Sequence, residues 1–333
     1  MLMEWNMRTI AVLWMAAALF GFSARQTNAQ GTAGFEILRL QVYPRGSALG
    51  GSLVSDNGHI ESIYYNPAGL AGLMQQTAAA GYMNYLLDIN SGYLTFARPE
   101  KQWGNWGIHL LYINYGDFDR RDKYGVDQGT FYASDFVFGF SWAKAFRNSL
   151  QIGGSGKFAH SKIADYTASA LAFDLGVQYR LMSDRLRIGA GFFNLGGTTD
   201  AYIRSNDDLP IHYRIGISGI PEGFPATLYF SMTMYQENAD NYTLSHFTGS
   251  DIFNFLGDVY YSIGAEFNPI ETLFLRVGYD TRGLDQQVGT RNDPFAGITG
   301  GVGFDLTLAR LDIGLSSYGE VGIVTHVGLS ASF

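Results

Sequence analysis

The sequence predicts an all-β protein: a transmembrane antiparallel β-barrel of about 14 strands, with an N-terminal periplasmic plug or cap segment. Three observations predict it. The chain ends in an alternating segment that closes on an aromatic residue, the same alternation recurs along most of its length, and an export signal stands at its start. A period of two separates two faces only in an extended chain. Segments of about ten such residues are typical of outer-membrane barrels.

The last segment defines the two faces. Counting back from Phe333, every second residue belongs to one mostly apolar face, which comprises Phe333, Ala331, Leu329, Val327, Thr325, Ile323 and Val321. We expect Val327, Leu329 and Phe333 to face lipid and to form the signal read by the barrel-assembly machinery, and His326 to face the lumen. With an even number of strands, this last strand pairs with the first and closes the barrel.

The amino terminus predicts export. An apolar run over 10–22 follows Arg8 and precedes a polar stretch and the small residue Ala29, the order of parts in a secretory signal. The predicted organisation is therefore a signal peptide over 1–29, a plug or cap over 30–74 and the barrel over 75–333. The expected location is the outer membrane of a Gram-negative cell, in contact with its lipid.

Composition narrows the class of function. The chain is 47% hydrophobic and 16% charged, with 42 glycines, and we expect glycine where strands bend and crowd. A net charge of −8 does not favour nucleic-acid binding. The six histidines have no zinc-type spacing and there is no cysteine. We therefore predict a non-enzymatic protein with no catalytic residues, no cofactor and no metal.

Alternating segments can be placed along the whole barrel region. They are predicted at 75–88, 91–99, 104–115, 131–145, 150–161, 166–181, 185–195, 210–219, 225–236, 258–268, 271–281, 298–307, 310–318 and 321–333. Every second connection between them is short, and the others include long loops at 116–130, 196–209, 237–257 and 283–297. Short periplasmic turns and long outer loops are the asymmetry of outer-membrane barrels.

The segment before the barrel carries the most specific motif. An Arg45-x-x-x-x-Gly50-Gly51 stretch leads to Asn66-Pro67-Ala68-Gly69-Leu70. Pro67 disfavours a helical conformation at Asn66, whose side chain can lock a turn. The glycines permit positive φ or close backbone approach. The segment either caps the base of the barrel or plugs it.

These motifs resemble those of the PorV/PorQ family of outer-membrane proteins, relatives of the FadL transporters. The resemblance implies a component of the type IX protein secretion system that binds the translocon barrel, the C-terminal signal domains of cargo or attachment-complex proteins. It does not decide between a PorV-like shuttle and a PorQ-like attachment member. The stretch Asp56 to Glu61 departs from the acidic pair usual in the family, so a function tied to that pair is not expected. The alternative is a FadL-like passive transporter of hydrophobic small molecules.

Charged residues on the lumen side of the strands predict an ion-pair network that fills and stiffens the lumen, with an ion pathway as the alternative. Its expected members are Asp174, Arg180, Arg276, Asp280, Asp305, Arg310 and Asp312, with Arg187 beside them. We expect Arg276 or Asp280 to approach Asp305, and Arg310 to approach a neighbouring aspartate.

One predicted outer loop, 237–257, is unusually apolar. Its apolar residues are Tyr242, Phe247, Ile252, Phe253, Phe255 and Leu256. Exposed apolar patches often mark interaction surfaces, so the loop is the candidate for partner binding; the alternative is that it folds back into the barrel mouth. Tyr202, Arg204 and Phe295 would extend either surface.

Overall fold

The computed structural model describes residues 34–85, 89–146, 149–181, 185–202, 208–236, 259–285, 293, 295–319 and 322–333. The predicted signal peptide and the predicted partner-binding loop, with Tyr242, Phe247, Ile252, Phe253, Phe255 and Leu256, lie outside the described residues.

Fourteen antiparallel strands form one closed barrel, which confirms the predicted fold class. The strands are β1 Thr77–Asn84, β2 Asn90–Arg98, β3 Asn105–Arg121, β4 Asp127–Phe146, β5 Leu150–Ile163, β6 Tyr166–Leu181, β7 Leu186–Asp200, β8 His212–Gly219, β9 Ala226–Tyr235, β10 Tyr260–Ile270, β11 Leu273–Asp280, β12 Ile298–Asp305, β13 Arg310–Ser317 and β14 Ile323–Ser332. The first and last strands pair antiparallel, with Ala78 opposite Ala331. The predicted closure of the barrel is thus confirmed.

The two faces of the wall have the predicted chemistry. Along β6, Leu171, Phe173 and Leu175 are exposed on the outside, whereas Asp174 and Gln178 between and beyond them are buried inside. An apolar outer face suits a surrounding of lipid, and a polar inner face suits a filled lumen. Among the described residues, no helix is both long and apolar enough to span a bilayer.

The hairpin of β3 and β4 corrects the prediction. The sequence predicted a loop over 116–130, but β3 continues to Arg121 and β4 begins at Asp127. A register shift lies between Asn114 and Asp117, where Gly116 has φ 83°. A bulge adds one residue and so exchanges the two faces of a strand. Inward and outward positions exchange at this bulge. The alternation in the sequence therefore ends before β3 itself ends.

Short helices fill the lumen ahead of β1. We call residues Gly34–Leu73 the plug. It contains the helices α1 Pro44–Ala48 and α2 Ser62–Tyr65 and the 3-10 helices Glu36–Arg39, Leu53–Ser55 and Pro67–Gly72. A further helix, α3 Arg282–Asp285, follows β11. The sequence predicted either a cap at the base of the barrel or a plug. In the structure the segment lies within the barrel and packs against its inner wall.

Inward-facing glycines receive the plug. We call them the glycine belt: one residue from each of β3, β5 to β8 and β10 to β14, namely Gly107, Gly153, Gly176, Gly189, Gly216, Gly264, Gly278, Gly301, Gly314 and Gly328. A Cβ added at Gly153 would lie 2.5 Å from the backbone N of Ala68, and one at Gly314 would lie 2.5 Å from the carbonyl O of Pro44. Such contacts are too close for any side chain. Many glycines therefore make room for the plug, a purpose beyond the bending and crowding of strands that composition suggested.

Candidate functional site

Arg45 of the plug is the centre of a buried ion network. Its guanidinium binds Asp56 through two hydrogen bonds of 2.9 and 3.1 Å and Glu266 of β10 through two of 3.0 and 3.1 Å. It also donates to the hydroxyl of Tyr229 at 3.0 Å and to Glu61 at 3.5 Å. Arg45 is 1% exposed. Two forked carboxylate pairs use the fixed geometry of the guanidinium, so Arg45 ties the plug to the wall.

The wall completes this network. Arg276 on β11 lies 2.6 Å from Glu266 and 2.7 Å from Asp312 on β13. Arg310 lies 3.3 Å from Asp312, and its guanidinium lies 3.9 Å from the ring centre of Phe274. We call these seven charged residues the central ion network: Arg45, Arg276, Arg310, Asp56, Glu61, Glu266 and Asp312.

The network holds three cations and four carboxylates, and the pKa values of its two plug acids, Asp56 and Glu61, shift in opposite directions. Burial alone would raise the pKa of Asp56, but Arg45 and His59 outweigh it and hold that pKa well below its usual range. Burial raises the pKa of Glu61, and Asp312 adds to the rise against the opposing effect of Arg45. An excess of one acid over the cations is relieved when one carboxyl holds its proton more tightly.

The other charged residues that were predicted to face the lumen lie in different environments. Asp174 lies 2.7 Å from Lys157, and Asp280 lies 2.5 Å from Arg282. Arg180 and Arg187 are half-buried and face each other across β6 and β7. Asp305 contradicts the prediction: it is exposed at the end of β12, and Arg276 approaches Glu266 and Asp312 instead. Asp305 is the last residue of β12 before a short turn, and at such a position alternation no longer predicts which side of the wall a side chain faces.

Several residues of these clusters were missed from the sequence. Glu266 has the same parity as Ser262 and Gly264, and Lys157 has the same parity as Ser155, so strict alternation along β10 and β5 would have found both. Asp56 and Glu61 were not predicted as site residues, because the stretch that holds them departs from the acidic pair of the family and no function tied to that pair was expected. No alternation exists within the plug, and only the folded path of the chain brings these acids to Arg45.

Asn66 organises the second half of the plug. It is fully buried; its Oδ1 accepts from the backbone N of Ala68 at 3.1 Å, and its Nδ2 donates to the carbonyl O of Val54 at 2.7 Å. The Asn66 side chain thus starts the 3-10 helix that begins at Pro67. Gly50 and Gly51 have φ of 64° and 75°, values that favour glycine.

Two further motif positions are filled by close packing. An added Cβ at Gly69 would meet the carbonyl O of Asp56. The carbonyl O of the buried Leu70 accepts from Asn105 Nδ2 on β3 at 2.7 Å. The motif residues therefore face the inside of the molecule and hold the plug together and against the wall.

An apolar cavity lies at the outer end of β3, β4 and β5, beyond the glycine belt. Its volume is about 470 Å³, and it is lined mainly by Phe35, Tyr115, Phe118, Phe131, Ile163 and Tyr202. Phe118 stacks on Phe131 with ring centres 5.3 Å apart. The bulge in β3 brings Phe118 to the same face as Phe131. This cavity was not predicted, because the phase change hid the inward position of Phe118.

The cavity has one polar side. Asp135 of β4 is 5% exposed and accepts hydrogen bonds from the hydroxyl of Tyr115 at 2.7 Å and from the hydroxyl of Ser161. The hydroxyl of Tyr202 in turn donates to Ser161. Tyr202, predicted to extend either a partner-binding surface or one folded back into the barrel mouth, packs into the cavity. Phe295 is exposed, and Arg204 lies outside the described residues.

The predicted assembly residues lie on the outer face. Val327, Leu329 and Phe333 are exposed, and His326 beside them is buried in the lumen. Their recognition by the barrel-assembly machinery stays a prediction. Within the described ranges, no group of three or more histidine, cysteine, aspartate or glutamate residues could hold a metal ion.

Comparisons with solved structures identify the type of barrel. No family model matches the sequence, and no curated protein sequence is similar to it. The toluene transporter TbuX of Ralstonia pickettii superposes with a TM-score of 0.59 at 14% identity, covering 91% of this chain and 99% of its own. The toluene transporter TodX of Pseudomonas putida gives 0.61 at 12% identity, covering 89% of this chain and 99% of its own.

A FadL homologue of Pseudomonas aeruginosa is a further neighbour. It gives a TM-score of 0.54 at 11% identity, covering 88% of this chain and 98% of its own. At these identities the likeness concerns the fold alone. The chain has the fold of FadL-type outer-membrane barrels.

Proposed function

We propose that this protein is a non-enzymatic outer-membrane channel for hydrophobic small molecules. The observation that supports this most is the apolar cavity at the outer end of β3 to β5. Its volume of about 470 Å³ falls within the roughly 300–1,000 Å³ of small-molecule sites. Solved barrels of the same fold include toluene transporters. The cavity offers such a ligand an apolar surface apart from the charged network.

The plug determines how a bound molecule would cross. It fills the lumen at the glycine belt, where Arg45 and Asn66 hold it to itself and the wall. A molecule in the cavity therefore reaches the other side only if the plug moves or if the molecule leaves sideways between strands. Neither route needs an energy source, which fits a passive channel.

A cavity-filling variant tests the proposal. Ala133 lines the cavity and is 6% exposed, so Ala133→Phe should fill it and reduce uptake of a small aromatic hydrocarbon by intact cells several-fold. Ala80→Phe is the matched control, since Ala80 is exposed on the outer face of β1. Uptake is measured with labelled toluene in a host that lacks related channels. Equal uptake by cells with the protein, with the Ala133 variant and without the protein would refute the channel.

Type IX secretion is the second candidate, and the Asn66-Pro67-Ala68-Gly69-Leu70 motif favours it. This support is limited, because Asn66, Ala68 and Leu70 are fully buried and offer a partner no surface. A partner contact would fall to the loop 237–257, outside the described residues. Deletion of that loop tests this candidate: loss of secretion of signal-bearing cargo would support a secretion function, and unchanged secretion would refute it, while hydrocarbon uptake by the same cells reports on the channel.

A further inference from the structure

We infer that the outer cavity selects hydrophobic molecules whose head group donates a hydrogen bond, as an aromatic hydroxyl does, and discriminates against carboxylates. Asp135 would be the residue that sets this preference. The inference rests on the proposed function, since it assigns a ligand class to the same cavity. It also goes beyond that function, because toluene, for which the transporters TbuX and TodX are named, has no head group.

The first argument is the charge of the cavity. Among the described residues, its charged lining residues are Asp135 and Glu36, and no lysine or arginine lines it. Glu36 pairs with Arg39, whereas Asp135 takes part in none of the ion pairs within 4 Å in the described part of the chain. A carboxylate ligand entering here would meet a like charge in an apolar surrounding, which is costly.

The second argument is the remaining hydrogen-bonding capacity of Asp135. An ionised carboxylate can accept about four hydrogen bonds, and in this structure Tyr115 and Ser161 supply one to each oxygen. Acceptor capacity is therefore left on a side chain that lines the cavity and is 5% exposed. A ligand hydroxyl can use it, and the aromatic rings of Phe118 and Phe131 can hold the apolar body of the same molecule.

The third argument is that the side chain is held in place. Tyr202 donates to Ser161, Ser161 donates to one oxygen of Asp135, and Tyr115 donates to the other oxygen. The three donors come from the loop after β7, from β5 and from β3, so they fix Asp135 from different sides. An acceptor fixed in this way loses little freedom when a ligand binds, which favours selectivity.

The experiment compares three ligands of similar size on the full barrel in lipid nanodiscs, by calorimetric titration against empty nanodiscs. 4-Ethylphenol has a donor, ethylbenzene has no head group, and 4-ethylbenzoate has only acceptors and a negative charge. We expect 4-ethylphenol to bind about tenfold more tightly than ethylbenzene once membrane partitioning is subtracted, about 1.4 kcal/mol, and 4-ethylbenzoate to bind more weakly than either.

Variants of Asp135 identify the cause. Asp135→Leu removes the acceptor and should lower the ratio of the two affinities to about one, while Asp135→Asn keeps an acceptor oxygen and should preserve part of it. Asp119→Leu is the matched control, because Asp119 is an exposed aspartate on β3 that does not line the cavity. Migration of the unheated folded barrel on a gel verifies that each variant is assembled.

The outcomes separate the two proposals. If ethylbenzene binds but the affinity ratio is the same in the native protein and in Asp135→Leu, the head-group preference is wrong and the channel proposal stands. Tighter binding of 4-ethylbenzoate than of 4-ethylphenol would also overturn the preference. If none of the three ligands binds above the empty-nanodisc level, the cavity is not a ligand site and both proposals fail.

Discussion

The lumen has two regions built in opposite ways. At the glycine belt the wall presents residues without side chains, and the plug backbone occupies the space with buried ion pairs around Arg45. At the outer end of β3 to β5 the wall presents large side chains such as the stacked Phe118 and Phe131, and a cavity remains beside them. Small wall residues thus accompany a filled lumen, and large ones an open lumen. The belt region provides stability, and the outer region is available for a ligand.

The largest effect is expected at Arg45. Arg45→Leu leaves Asp56 buried without its guanidinium partner and leaves Glu266 to Arg276 on the wall, and breaking such a buried pair costs about 3–5 kcal/mol. Hydrogen exchange of the plug amides over 44–70 should rise accordingly while the strands stay protected. Unchanged exchange in the plug would contradict the view that Arg45 ties it to the wall.

A smaller loss is expected from one glycine of a neighbouring pair. Gly153→Leu would press a side chain into Pro67 and Ala68 and should destabilise the seated plug by about 1–3 kcal/mol. Gly154→Leu is the control, since an added Cβ there comes no closer than 3.4 Å to its neighbours. Protease accessibility of the plug distinguishes the two, and equal accessibility would argue against the belt as a seat.

The two plug acids should respond to pH in opposite directions. The lowered pKa of Asp56 means that its ionised form stabilises the fold above its unfolded pKa, and that this contribution is lost as the pH falls towards its folded pKa. The loss of stability caused by Asp56→Asn should therefore be constant above about pH 5 and become smaller below about pH 4.

Glu61 provides the opposite case. Its raised pKa means that the native glutamate becomes less favourable as the pH rises above its unfolded pKa. Glu61→Gln should therefore gain stability relative to the native protein as the pH rises. Plug exchange measured between pH 3 and pH 8 checks both variants, and parallel pH profiles would contradict the assignment. The range from about pH 3 to about pH 8 covers both sides of the ordinary carboxyl pKa, about 4.

The smallest effect is expected at the outer end. Arg120 and Asp165 form an ion pair of 3.0 Å with exposed side chains. Exposed pairs contribute little because water and salt screen them, so Arg120→Leu should change stability by no more than about 1 kcal/mol. Thermal unfolding in detergent measures it. A loss as large as that at Arg45 would remove the contrast between the two regions.

The fold could be predicted because it follows from local alternation. Leu171 to Gln178 of β6 carry the pattern of lipid face and lumen face residue by residue, and the last strand shows where the barrel closes. The site could be predicted only in part. Arg276 and Asp312 were found through their parity, but the Arg45 to Asp56 pair depends on the tertiary path of the plug. The cavity depends on the bulge at Gly116, and a change of phase by one residue looks, in the sequence, like the end of a strand.

The position of Arg45 in the chain also constrains how the molecule is made. Its partner Glu266 lies 221 residues later, and Ser47, two residues on, bonds to Ser316, 269 residues away. Contacts of such separation form late, because the intervening chain must first be ordered. Among the described residues the plug is synthesised first, yet its partners on β10 and β13 are synthesised near the end. The polar side chains of the plug therefore have no partners on β10 and β13 until the wall is nearly complete. We expect barrel closure and packing of the plug to be completed together.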